Sequence, residues 1–492
     1  MKILKFALFA LIVFSLNMSC SKDKDDEVPP PVVVKNEVND YIWTAMNIFY
    51  LYKADVPNLA NSRFPSDEAY TNYINGYSVS EEFFESLIFQ REVVDRFSFI
   101  TPDYIALEQQ FQGEFKTNGL ESNYYLQPGS DTKVFGIVRL VLNDSEASAA
   151  GLQRGQAFNA IDGVPMTRDN FNTLLNQDTY TLNLATYNDN GTPTPNDDSV
   201  DSTSETATLT KKPYNENPVH TTKVLDINGS KIGYLMYTSF TSNYDPQLNE
   251  AFGELKSAGV QHLVLDLRYN GGGSVNSAAL LASMITGQFN GEVFSKLVWN
   301  ENLQSENTAY TFKNNAPEGV GAINSLNLEK VYVLTTNRTA SASELIINGL
   351  SAYIDVVQIG DRTTGKSQAS VTLYDSENFT KQNANPNHTY AIQPLVAVSV
   401  NKDDTRVPPN GFLNSMEQFQ MREAVNFYGI LGEPTEPFLA KAIADITGVA
   451  GRPLQSADNY LTPLQDHVDR KLMDKEMYID VLDHLPTFEN LR

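Results

Sequence analysis

Apolar residues near the start of the chain recur at helical intervals: Val38, Ile42, Ala45, Met46 and Phe49 fall on one face. Amphipathic pieces continue through Glu81–Val94 to about Phe115, so residues 36–120 are predicted to form a small helical domain whose aromatic faces are core. From Lys133 the pattern shortens to strands. Val134–Val138 leads to Ser148-Ala149-Ala150-Gly151-Leu152 and then to a strand ending Ile161-Asp162-Gly163, within a β-rich unit over 121–212. Its polar stretch Asn188–Glu205 reads as a loop between strands Thr179–Tyr187 and Thr206–Thr210. Beyond Pro213 strand and helix alternate. Strands are predicted at Lys231–Met236, Gln261–Leu267, Lys330–Thr335 and Val356–Ile359, and helices at Leu248–Leu255, Ala342–Tyr353 and Phe438–Thr447. The uninterrupted apolar strand Gln261–Leu267 calls for a sheet covered on both faces, hence an α/β core over 213–455 with a tail at 456–492.

Charge and the N-terminus narrow the picture. A formal net charge of −24 over 492 residues, with no basic stripe to offset it, argues against nucleic acid as a partner. Lys2 and Lys5 followed by the apolar run Phe6–Leu16 read as an export signal, too short to span a membrane as a helix. The only cysteine, Cys20, follows it, where a lipoprotein signal places its acylated thiol; residues 1–20 are thus a lipoprotein signal and 21–35 an acidic, Pro-rich tether. With one cysteine, no disulfide within the chain supports the fold.

Candidate chemistry lies in three motifs. Strand Lys330–Thr335 runs into Thr339-Ala340-Ser341-Ala342-Ser343-Glu344, placing Ser341 at a helix start, where free N–H groups favour developing negative charge. Taken alone, such a serine reads as an N-cap. Asp266-Leu267-Arg268-Tyr269-Asn270-Gly271-Gly272-Gly273 follows a buried strand, and its glycines let backbone N–H groups approach a substrate oxygen; Gly272 and Ala342 are the expected oxyanion donors. Lys366 stands 25 positions beyond Ser341 in a Thr-Gly-Lys turn. None of the five histidines sits in a motif with a serine and an acid, whereas a buried, neutral lysine can take a serine's proton. Gly360–Ser367 also spells a Walker A loop, but the following Ser370–Tyr374 is strand-like where a phosphate loop must open a helix, so nucleotide binding is rejected.

Together, D-L-R-x-N-x-G-G, S-A-S-E and T-x-G-K, after a β-rich segment, resemble the C-terminal processing peptidases (tail-specific proteases), relatives of the tricorn core, over roughly Asp95–Ala444. The resemblance implies an α/β protease core of tricorn-core or crotonase-like ββα arrangement, with a PDZ-like β-rich domain and an N-terminal helical domain. It implies Ser341 as nucleophile, Lys366 as general base, Glu344 as an assisting carboxylate, and Gly272 and Ala342 as oxyanion donors. It also implies a PDZ carboxylate-binding loop at Phe135, Gly136 and Ile137. Thr364, Ser367 and Ser370 stand where members carry an aromatic, a glycine and, in some, a glutamine, which leaves the third catalytic partner open. No metal or cofactor is implied. The expected partners are protein or peptide substrates and a membrane held through Cys20. The expected site is the bacterial outer membrane, as a Bacteroidota-type lipoprotein. A non-catalytic peptide- or lipid-binding lipoprotein on the same fold is the competing reading.

Overall fold

The computed structural model describes residues 34–192, 194–315, 321–449, 461, 463, 464 and 474–480. Cys20, the signal segment and most of the acidic tether lie outside the described residues, as does most of the tail.

The periodicity at 38–49 becomes the helix Glu37–Phe49, capped by Asn36, with Ile42, Ala45, Met46 and Phe49 buried. Helices Asp67–Asn75 and Ser80–Ser86 pack beside it. These helices do not close a core of their own. Their apolar faces join the same cluster as the main sheet, and Asn300 Nδ2 donates to the carbonyls of Ile48 (2.9 Å) and Tyr50 (3.0 Å). A single desolvated core therefore spans chain segments far apart in sequence.

That sheet has five strands in the order Val219–Ile227, Ser230–Tyr237, His262–Asp266, Lys330–Thr335, Asp355–Gly360. The first pair is antiparallel and the others parallel. Alternate side chains go to opposite faces. Leu235, Leu263, Leu265, Val331 and Val333 meet helices Asp245–Ser257, Val275–Thr286 and Ala342–Ser351. Tyr234, Met236, Val264, Tyr332 and Leu334 meet helix Pro437–Thr447 on the other side. Cover on both faces explains the unbroken apolar runs. A second sheet of six strands includes Gly273–Ser274, Met477–Tyr478, Gln368–Ser370 and Leu395–Val400 in that order. The strand at Gln368–Ser370, rather than a helix, follows Lys366, in keeping with rejection of the Walker reading.

The β-rich unit is an antiparallel sheet in the order Leu120–Leu126, Val134–Val141, Ala157–Ile161, Thr179–Asn188, Ser199–Thr210, with a short strand Val164–Pro165 paired to Ala157–Ile161. It is tied to the rest by the strand pair Glu114–Thr117 and Lys212–Asn215. Two expectations need correction here. The polar loop is shorter than 188–205, because the strands extend to Asn188 and from Ser199 as one long hairpin in which threonines pair across the strands: Thr181 Oγ1 and Thr208 Oγ1 are 3.0 Å apart. Phe135, Gly136 and Ile137 do not form an exposed carboxylate-binding loop. They lie within an interior strand, paired with Tyr125, Tyr124 and Asn123 on one side, and Gly136 and Ile137 with Phe158 and Ala157 on the other. A Cβ on Gly136 would stand 2.2 Å from the Phe158 ring, so this glycine makes room for a core aromatic.

Candidate active site

Ser341 occupies the N-cap of helix Ala342–Ser351 with φ 63° and ψ −115°, a conformation that costs an L-residue about 1–3 kcal/mol and that persists only where the surroundings over-determine it. The surroundings are the glycine-rich turn. Ala340 N–H (3.2 Å) and Ser343 Oγ (3.0 Å) both donate to the Asn270 carbonyl, and Thr339 Oγ1 donates to that of Leu267 at 2.8 Å. The Ser341 side chain is fully buried, yet its hydroxyl finds no hydrogen-bond partner among the described residues. The helix start has the outline of a capping box, in which Glu344 accepts Ser341 N–H, but Ser341 Oγ itself closes no hydrogen bond of good geometry. A buried, unpaired hydroxyl on a strained turn requires a functional explanation.

Lys366 is also fully buried. Its Nζ lies 4.8 Å above the Phe97 ring and 2.9 Å from Glu476 Oε2. Burial pushes the lysine below the ordinary range, outweighing the neighbouring Glu476, Asp95 and Glu344 carboxylates, which pull it up. Burial likewise raises the Glu476 carboxyl against the pull of Lys366. The Phe97 wall comes from a turn built on Asp95. Its carboxylate accepts the N–H groups of Phe97 (3.1 Å) and Ser98 (2.9 Å), the Ser98 hydroxyl (2.6 Å) and the Tyr50 hydroxyl (2.7 Å). The helical segment thus supplies one side of the lysine's pocket.

Glu344 binds the two turns together. Oε2 accepts the backbone N–H of Ser341 (2.9 Å) and of Lys366 (2.8 Å), while Oε1 accepts Gly365 N–H (2.7 Å) and the Thr363 hydroxyl. Burial raises this carboxyl, and those donors draw it back down. It touches neither Ser341 Oγ nor Lys366 Nζ by hydrogen bond, so the expected catalytic carboxylate acts as a positioning residue. Glu344→Gln is expected to lower kcat about 100-fold with KM nearly unchanged, the cost of a displaced nucleophile and base. Steady-state kinetics on the folded variant check it; a loss confined to KM would contradict it.

The oxyanion assignment changes in one member. Gly272 N–H is occupied by Asn270 Oδ1 at 2.8 Å, whereas Gly273 N–H donates at 2.6 Å to the Glu476 carbonyl. Gly272, at φ 116°, instead provides space: a Cβ there would stand 2.8 Å from Ser341 Cβ, 3.1 Å from Ala342 N and 2.4 Å from the Glu476 carbonyl oxygen. Ala342, at the head of its helix, keeps its N–H outside the intrahelical ladder. Ala342 N–H thus stands by the serine across Gly272, and Gly273 N–H, next along the same turn, is the donor that already receives a carbonyl oxygen.

Behind the glycine turn, fully buried Arg268 pairs with Asp266 (2.6 Å) and Glu436 (2.6 Å), and Glu423 joins it to Arg154 (2.6 Å). This network fixes the turn, with Arg268 N–H also donating to Asp266 Oδ1 at 3.1 Å.

The structure thus brings together Ser341, Ala342, Glu344, Lys366 and the glycine turn, and leaves Phe135–Ile137 apart. Sequence reasoning gave no role to Phe97 or Glu476, and marked Ser370 only as a departure from the resembled pattern. Ser370, which stands where some relatives of the resembled family carry glutamine, donates to Glu476 Oε2 at 2.6 Å and accepts from Gln393 Nε2 at 3.1 Å. Glu476 has no sequence signal beyond lying in a short apolar run, Met477-Tyr478-Ile479, flanked by acids.

A strained serine heading a helix, a buried lysine joined to it through one carboxylate, and glycine-lined N–H groups make a site of serine-hydrolase architecture. Comparison with known proteins specifies the family. Peptidase family S41 matches residues 231–385, and the peptidase S41 N-terminal domain matches 37–99. The carboxyl-terminal-processing protease of Picosynechococcus is 27% identical over 267 residues, covering 54% of this chain and 57% of that protein. The chloroplastic C-terminal processing peptidase of Tetradesmus obliquus is 26% identical over 292 residues, covering 56% and 57%. The chain therefore spans little more than half the length of these curated relatives. A crystal structure of a Bacteroides fragilis protein assigned to the S41 proteases is similar with a TM-score of 0.67 at 26% identity, over 83% of this chain and 97% of that one. Residues 231–385 thus match the peptidase domain of family S41, preceded at 37–99 by a match to that family's N-terminal domain.

Proposed function

We propose that this protein is a serine endopeptidase working through a Ser341–Lys366 dyad on exported polypeptides. The observation that carries the reading is the pairing of a strained, buried, unpartnered serine hydroxyl with a wholly buried lysine through the Glu344 clasp. In the reaction, neutral Lys366 takes the proton of Ser341 Oγ as that oxygen bonds to the substrate carbonyl carbon. The N–H groups of Ala342 and Gly273 receive the oxyanion, and removing one such donor typically costs about 10²–10³-fold in rate. Lys366 then gives its proton to the leaving amine, and water releases the acyl group from Ser341. The chemistry calls on side chains and backbone of this chain alone.

The five-stranded unit, PDZ-like by its A-G-L-x-x-G and I-D-G motifs, would engage unstructured C-termini along its edge strand Leu120–Leu126. Acylation of Cys20 would hold the enzyme at the bacterial outer membrane.

A fluorophosphonate probe followed by peptide mapping tests the assignment. The adduct is expected on Ser341 and absent from Ser341→Ala. An adduct on another residue of an actively cleaving preparation would overturn it.

A further inference from the structure

Nothing can reach the dyad in this structure, because residues 474–480 lie across it. The segment enters between two strand edges, Gly273–Ser274 and Gln368–Ser370, and runs parallel to both: Met477 pairs with Gly273, and Tyr478 with Ser274 and Ser370. Its bed is the glycine turn. A Cβ on Gly271 would stand 2.8 Å from Asp474 Oδ1, and one on Gly272 would stand 2.4 Å from the Glu476 carbonyl oxygen. That carbonyl accepts Gly273 N–H, and Glu476 Oε2 stands 2.9 Å from Lys366 Nζ. Farther along, Asp480 accepts the Ser274 hydroxyl at 2.6 Å.

We propose, on the reading that Ser341 and Lys366 are a peptidase dyad, that residues 474–480 are an intramolecular pseudosubstrate. They fill the strand-shaped slot that an extended substrate peptide enters, and Glu476 Oε2, 2.9 Å from Lys366 Nζ, engages the amine that would otherwise take the serine's proton. The enzyme is latent until the segment leaves.

Three features separate an occupant from a permanent strand. A backbone carbonyl of the segment, that of Glu476, accepts Gly273 N–H and crowds the same side of Gly272 as Ser341 Cβ and Ala342 N, where a substrate carbonyl would lie. The segment also carries two buried carboxylates, Glu476 and Asp480, both raised by burial; Asp480 faces Asp245, itself pushed up to about 7. Burying charge in this way weakens the docked state. Finally, the same C-terminal stretch meets the edge of the five-stranded unit: Leu464 N–H donates to the Tyr124 carbonyl at 2.7 Å. The tail thus lies on two peptide-accepting edges at once.

The test compares full-length wild type, Glu476→Ala and Tyr478→Asp. Tyr478 packs on Phe111 with ring centroids 4.5 Å apart and touches no dyad atom, so its variant loosens docking without altering the lysine's surroundings directly. Fluorophosphonate labelling of Ser341, cleavage of an unstructured peptide and hydrogen exchange at 474–480 are measured together. If the open form is a minor state of about 10% or less, both variants label and cleave at least tenfold faster than wild type. Their 474–480 amides exchange faster, and a synthetic 474–480 peptide added to Tyr478→Asp restores slow labelling. Variants that keep their thermal midpoint but label no faster, or a peptide without effect, overturn the inference while labelling at Ser341 upholds the peptidase reading. Should no protein label or cleave, the peptidase reading falls and exchange decides the rest: faster exchange in the variants keeps a displaceable tail, and unchanged exchange removes it.

Discussion

Lys366→Ala is expected to lower the rate of peptide cleavage about 10²–10⁴-fold, the span usually lost with a general base. Lys366→Arg is expected to be as inactive at every accessible pH, since guanidinium does not give up its proton. That second variant separates a base from a cation that merely fills the pocket. The pH profile follows from the same group. Only the neutral amine accepts the serine's proton, so kcat/KM rises with pH through the lysine's titration and levels off above it. Burial brings that limb below the usual lysine range, and the carboxylates facing Nζ from three separate segments, Glu476, Asp95 and Glu344, hold it up. Glu476→Ala removes the largest of these pulls, so its limb lies at lower pH than in wild type. A limb that moves upward in Glu476→Ala, or measurable turnover by Lys366→Arg, would contradict the assignment.

Arg268→Met carries the largest expected loss of stability. The guanidinium is buried among Asp266, Glu436 and Glu423, and stacks on the Phe438 ring at 4.7 Å. Removing it strands two fully desolvated carboxylates, Asp266 and Glu436, which typically costs about 3–5 kcal/mol. Glu436 also caps helix Pro437–Thr447, its Oε2 accepting Leu439 N–H at 2.9 Å, so the damage extends to the outer face of the catalytic sheet. The triple change Arg268→Met, Asp266→Asn, Glu436→Gln leaves no unpaired charge and should recover most of the loss. Urea unfolding of the wild type, the single variant and the triple variant checks both statements. A drop below about 1 kcal/mol in the single variant would show that water reaches the network.

Much of the framework was legible because local pattern and burial agreed. Lys330–Thr335 is a strand over the residues its apolar alternation marks, and the face Leu248, Ala251, Phe252, Leu255 lies on helix Asp245–Ser257, pointed into the core. Ser341, Lys366 and Glu344 converge as the motif spacing implied. What failed did so for nameable reasons. Phe135–Ile137 has the apolar-Gly-apolar signature of a loop, but the choice between loop and interior strand is made by Tyr124 and Phe158 on neighbouring strands, not by the tripeptide. The threonine-rich hairpin was hidden because polar strands on a solvated sheet carry no hydrophobic period. Gly272 lost its donor role to the Asn270 side chain two residues earlier, a turn contact that composition cannot reveal. Glu476 was invisible because its meaning lies wholly in a tertiary partner 110 positions away.

The shared core has a consequence for how this protein comes into being. The Tyr41 hydroxyl donates to the Leu373 carbonyl, 332 positions onward, and Gln368 Nε2 reaches the Tyr52 hydroxyl across 316. The lysine's aromatic wall is made early in synthesis, whereas its own turn and the strands beyond emerge late from the ribosome. Such long-range closure is slow, and it cannot begin until nearly the whole polypeptide is present. A chain made only as far as its helical segment therefore holds the aromatic wall of the pocket but not the turn that carries Lys366.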